Sequence, residues 1–103
     1  DVLLIAPLTA NTLSAMAHGK ADKFLTSLVL AWPLEKPLIL APAMNTRMWE
    51  NPITQENLLR VRSVYSTYVV GPREGMLACG TEGMGAMASI NSIVTALFKS
   101  KNK

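Results

Sequence analysis

Three segments of the chain concentrate the residue types able to do chemistry. Pro7-Leu8-Thr9-Ala10-Asn11-Thr12 is small and polar and stands where a helix would begin. Pro42-Ala43-Met44-Asn45-Thr46-Arg47-Met48-Trp49 sets one asparagine between two methionines. Residues 75–85 place the only thiol, Cys79, in a glycine-rich stretch. In the first segment, helix-start N–H groups with Thr and Asn side chains suit a phosphate or a flavin edge. In the second, an amide both donates and accepts, so Asn45 can hold a substrate amide or carboxylate. Plainer roles stand beside these: Thr9 or Asn11 as an ordinary N-cap, Met44, Met48 and Trp49 as core around a capped turn, and Cys79 as a small buried residue. Gly80, Gly83 and Gly85 neither follow a strand directly nor match the dinucleotide-binding spacing, so a phosphate cradle is not indicated there. His18, beside Gly19, reads as a C-terminal helix residue rather than a base. Asp22 reads as the N-cap of the following helix. A nucleophilic pair of Cys79 and His18 would have to join unrelated segments, and no adequate metal ligand set exists.

These segments need a scaffold. Three apolar runs, at residues 2–5, 38–41 and 68–70, read as buried strands, the first two apolar on both faces as in a helix-covered parallel sheet. Each leads into a proline, Pro7, Pro42 or Pro72, which reads as a strand end because proline cannot donate to the ladder. Helices are expected over residues 10–18, with Leu13, Met16 and Ala17 inward, and 22–31, with Phe24, Leu25, Leu28 and Val29 inward. Asn51-Pro52 reads as an N-cap followed by proline at the first helical position, opening a helix to about Arg62. A last helix starts near Ser89 or Asn91 and reaches Phe98, with Ile90, Ile93, Val94 and Leu97 inward. Residues 71–88, with five glycines, read as a long loop. Strands alternating with helices predict an α/β fold with a parallel sheet. Ligands of such sheets sit beyond the carboxyl ends of the strands, so all three chemical segments should converge on one edge.

Composition narrows the class. The 103 residues allow one domain at most. Charged residues make up 17%, against roughly 25% in an average soluble domain. Some of the apolar surface therefore belongs against another segment or subunit. Net charge is +3, with Lys99, Lys101 and Lys103 forming a basic tail, and no basic run interleaves with aromatics, so no nucleic-acid partner is expected. One cysteine allows neither an intrachain disulfide nor a cysteine zinc cluster. With a single histidine it suits a reducing, cytoplasmic setting. No run of eighteen apolar residues appears, so no membrane span is expected. Three short strands are few for a stable sheet, and the chain starts inside a strand. Residues 1–103 are thus expected to be the C-terminal part of a single domain whose upstream half is missing.

Taken together and in this order, the segments resemble the homo-oligomeric flavin-containing cysteine decarboxylases. The first motif of that family, Pro-Ala-Ser-Ala-Asn-Thr, is matched by residues 7–12 with Leu8 and Thr9 substituted. Its second, Pro-Xaa-Met-Asn-Xaa-Xaa-Met-Trp, is matched fully by residues 42–49. Its third, Leu-Ala-Cys-Gly followed by spaced glycines, is matched by residues 77–80 with Gly83 and Gly85. Trp49-Glu50-Asn51-Pro52-Ile53-Thr54 favours the branch that converts 4'-phosphopantothenoylcysteine to 4'-phosphopantetheine in coenzyme A biosynthesis.

The resemblance implies a flavodoxin-like (Rossmann-like) α/β sandwich, assembled as a homotrimer, with FMN as cofactor and a small-molecule substrate. It implies FMN contacts for Thr9, Ala10, Asn11, Thr12 and Ala43, and substrate binding by Asn45. It implies that Cys79, a neutral thiol on a mobile flap, is the catalytic acid of the reductive half-reaction. The family's Gly-Ser-rich phosphate loop and its histidine, which acts from a neighbouring subunit, belong to the upstream half, and His18 does not inherit that role. Met76 stands where relatives often carry Arg or Lys, and Thr81 where they often carry Asp. Two other branches share the motifs: non-enzymatic members that regulate phosphatases or pool residues in mixed trimers, and peptidyl-cysteine decarboxylases.

Overall fold

The computed structural model describes residues 1–77, 79–80 and 82–101. Thr81, and Lys103 of the basic tail, lie outside the described residues. In chain order the elements are β1 (Leu3–Leu8), α1 (Ala10–Ala17), α2 (Phe24–Leu30), β2 (Pro37–Pro42), α3 (Thr46–Glu50), α4 (Pro52–Val64), β3 (Ser66–Val69), β4 (Arg73–Met76), β5 (Glu82–Ala86) and α5 (Ile90–Lys101).

The expected parallel sheet is present, in the order β1-β2-β3. Leu3, Leu4 and Ile5 pair with Leu38, Ile39 and Leu40, which pair in turn with Thr67, Tyr68 and Val69. Central β2 is apolar on both faces because both faces are covered: Leu38, Ile39, Leu40 and Ala41 are all 0% exposed. On one side Ile5, Leu38 and Leu40 pack with Leu13, Met16 and Ala17 of α1, Val29 of α2, and Leu58 and Val61 of α4. On the other, Ala41 packs with Ala88 and with Ile93 of α5. Burying one such aliphatic side chain contributes roughly 1.5–3 kcal/mol, so the first cluster dominates.

Local signals place most helix ends. Thr9 caps α1, its hydroxyl accepting from Thr12 N at 3.2 Å. Asn51 caps α4 by accepting from Ile53 N at 2.8 Å, with Pro52 at the first position as its missing donor permits.

Four expectations are corrected. Pro42 ends β2 as expected, but Pro7 lies inside β1 rather than at its end, at a register shift between the Ile5–Leu40 and Leu8–Pro42 pairs where the ladder needs no donor from it. The cap of α2 is Lys23, whose N–H donates to the Thr26 hydroxyl at 3.2 Å, while Asp22 pairs with Lys20 at 3.6 Å. Phe24, Ile90 and Val94 do not face inward: they are 85%, 72% and 41% exposed. The helical period sets their stripe, but the sheet's small faces run out beneath them. Finally, residues 71–88 are not one loop. Arg73–Met76 and Glu82–Ala86 pair antiparallel as a hairpin, β4-β5.

Candidate functional site

The three chemical segments do meet at the carboxyl edge of the sheet. Beyond the Leu8–Pro42 pair, Ala43 N donates to Leu8 O at 2.9 Å, which joins the first segment to the second. Asn45 then caps α3, its Oδ1 accepting from Met48 N at 2.8 Å. That bond uses one lone pair of the amide oxygen and leaves both Nδ2 donors, so Asn45 can hold an acceptor such as a carboxylate.

The hairpin is clamped onto this turn. Met44 N donates to Gly85 O at 2.9 Å, and Thr46 Oγ1 donates to Met84 O at 2.7 Å. Gly85 is required at this contact: its φ is +130°, and an added Cβ would collide with the Met44 carbonyl oxygen. The clamp carries Cys79, exposed in the turn between β4 and β5, to the same place. Gly80 N donates to Leu77 O at 2.9 Å and closes that turn.

Ala43, Asn45 and Cys79 thereby line one cavity of about 630 Å³, together with Met44, Met48 and Met76. Polarizable methionine walls adapt to flat or irregular ligands. A second groove of about 610 Å³ is also lined by Asn45 and Cys79, and adds Arg47, Glu50 and Glu82. Cys79 is therefore exposed at a concave site, not the small buried residue that its type alone would suggest.

The other expected contacts lie beside this cavity, not in it. Thr9 spends its hydroxyl on the α1 cap, and Ala10 is the first residue of that helix. Asn11 and Thr12 line a separate depression of about 220 Å³ with His18. His18 is the C-cap of α1, its Nδ1 lying 2.8 Å from Ser14 O, and it shares no described cavity with Cys79. Among the described residues no group of three or more His, Cys, Asp and Glu could hold a metal ion.

The α1 start fits the polar edge of a flavin. No acidic residue stands in its first turn to offset the positive helix end, and two hydroxyls flank it. Ala43, small and hydrogen-bonded to Leu8, connects this start to the Asn45–Cys79 cavity, so a flat ring could bridge the two.

Sequence reasoning missed two residues here. Thr46 holds β5, and its only signal was its place directly after a capping asparagine. Arg73, at the start of β4, is the one charged side chain lining the Asn45–Cys79 cavity among the described residues.

Comparison with known proteins identifies the family and matches the fold. A family model described as Flavoprotein matches residues 1–102. A protein of Schizosaccharomyces pombe named probable thymidylate synthase is 54% identical over 94 residues, covering 90% of this chain but 15% of that protein. The solved structure of a PPC decarboxylase mutant complexed with pantothenoylaminoethenethiol superposes with a TM-score of 0.93 at 42% identity, covering 99% of this chain and 56% of its own. That of the FMN binding protein AtHal3 superposes with a TM-score of 0.79 at 44% identity, covering 97% and 55%. The chain spans about half the length of most curated relatives it matches.

Proposed function

The chain belongs to the flavoprotein family, and from that premise we propose that it supplies the substrate-binding and proton-donating part of an FMN-dependent decarboxylase acting on 4'-phosphopantothenoylcysteine. One observation carries this reading: the hairpin clamp sets Cys79 and Asn45 in one cavity with Ala43, which is hydrogen-bonded to the strand leading into the α1 start. The solved structures resembling the chain, of a PPC decarboxylase and of an FMN binding protein, support both substrate class and cofactor.

In this reading Thr9, Ala10, Asn11, Thr12 and Ala43 hold the flavin. Bound FMN supplies a reversible two-electron acceptor for the thiol-bearing carbon of the substrate. Asn45 Nδ2 donates to the substrate carboxylate and fixes the bond that will break. The apolar methionine wall favours loss of that carboxylate as neutral carbon dioxide, since it solvates charge poorly. The electron pair of the broken bond is delocalised from the adjacent carbon into the oxidised thiol-bearing carbon and its sulfur. When the two electrons held by the flavin return to the thiol-bearing carbon, Cys79 Sγ–H donates the proton that forms the new C–H bond on the adjacent carbon, so the overall reaction is redox-neutral.

The site draws on the C-terminal part of a single flavoprotein domain, assembled as a cytoplasmic homotrimer. The exposed Phe24, Ile90 and Phe98, at 85%, 72% and 63%, support an assembly that covers them. The test is Cys79→Ser in the native protein, assayed for bound flavin, carbon dioxide and reduced product. Retained flavin with blocked reduction is expected. Full turnover would remove the role given to Cys79, and release of carbon dioxide only from cysteine-ending peptides would move the chain to the peptidyl branch.

A further inference from the structure

The cavity shared by Asn45 and Cys79 does not end at the hairpin. It shares Arg73, Ala88 and Ser89 with a groove of about 510 Å³ between the end of β3 and α5. Among the described residues, the first cavity has one charged lining side chain, Arg73, and the groove has two, Arg73 and Lys99; no carboxylate lines either. Three hydroxyl residues, Ser89, Ser92 and Thr95, complete the polar lining of the groove.

Arg73 is held at the junction. Its Nε donates to Met87 O at 3.0 Å and its Nη1 to Glu74 O at 3.2 Å. A guanidinium carries five N–H donors in one plane; these two bonds engage two of them and fix that plane. Ile90 lines the first cavity and Lys99 the groove, so along α5 the two cavities span about 14 Å at 1.5 Å per residue. An extended residue covers about 3.5 Å, so a cysteine alone cannot reach both ends.

We propose that Arg73 and Lys99 form an anion subsite for the phosphate monoester of a long-armed substrate whose thiol-bearing end lies at Asn45 and Cys79. The choice of a phosphate monoester rests on the decarboxylase reading. Two cations in a lining that holds no carboxylate suit a dianion, and the planar fork of Arg73 suits two of its oxygens.

Calorimetric titration of the native protein with 4'-phosphopantothenate and with pantothenate tests the subsite without requiring turnover. The wild type should prefer the phosphorylated probe. Arg73→Ala and Lys99→Ala should each cut that preference about tenfold or more, as for a lost charge-assisted hydrogen bond, and leave pantothenate affinity unchanged. Lys99 is exposed near the end of α5, so its variant tests the idea even where Arg73→Ala disturbs the hairpin. Equal affinity of the wild type for both probes, or equal losses for both probes in the variants, would overturn the subsite. Absence of carbon dioxide release with phosphate preference intact would count against the decarboxylase reading and leave the anion subsite standing.

Discussion

In Gly85→Ala the added methyl meets the Met44 carbonyl oxygen, and the backbone must hold φ at +130° with a side chain attached. The strain of such a conformation is about 1–3 kcal/mol. Relieving the collision separates β5 from the Asn45 turn and gives up the 2.9 Å bond from Met44 N to Gly85 O, worth about 1 kcal/mol. Together these come to about 2–4 kcal/mol, or roughly a 30- to 700-fold rise in opening of the clamp. Hydrogen exchange at the Met44 amide reads that opening directly. Gly80→Ala is the control: its φ is +91°, but no atom lies within 4 Å of an added Cβ, and it sits in the turn away from the clamp. Met44 protection should fall in the first variant and persist in the second. Unchanged protection in Gly85→Ala, or equal loss in Gly80→Ala, would refute the clamp as the device that seats Cys79 beside Asn45.

Asn45 separates two roles by chemistry. Asn45→Asp keeps an acceptor for Met48 N and should melt near the wild type while losing substrate affinity at least tenfold, since a carboxylate cannot donate to a carboxylate. Asn45→Ala should also lose about 1 kcal/mol of cap stability, read as a lower denaturation midpoint. Leu40→Ala empties the fully buried centre of β2 and should cost about 2–5 kcal/mol in urea unfolding. The 103-residue chain by itself should bind FMN weakly or not at all, because the phosphate loop and further flavin contacts that the family resemblance implies are not among its residues. A tight one-to-one complex in a fluorescence titration would refute that.

What the sequence determined by itself is what local geometry governs. Capping depends on hydroxyls, amides and prolines two or three residues from a helix start, so Asn51-Pro52 and Thr9 were legible, and so was the inward stripe Leu13, Met16, Ala17. Strands apolar on both faces could only belong to a covered parallel sheet, and its carboxyl edge followed. The motifs around Asn45 and Cys79 singled out two residues that the fold brings to one cavity. The tertiary structure alone decided how they meet. The bond from Thr46 to Met84 spans 38 positions, and no local pattern encodes it. Pairing of β4 with β5 stabilises a glycine-rich stretch whose own propensities favour a loop. Phe24 and Ile90 obey the helical period yet stay exposed, because burial requires a surface opposite, and periodicity says only which residues share a face. Arg73 became a site residue only once the hairpin turned it over the cavity, where two backbone carbonyls hold its plane.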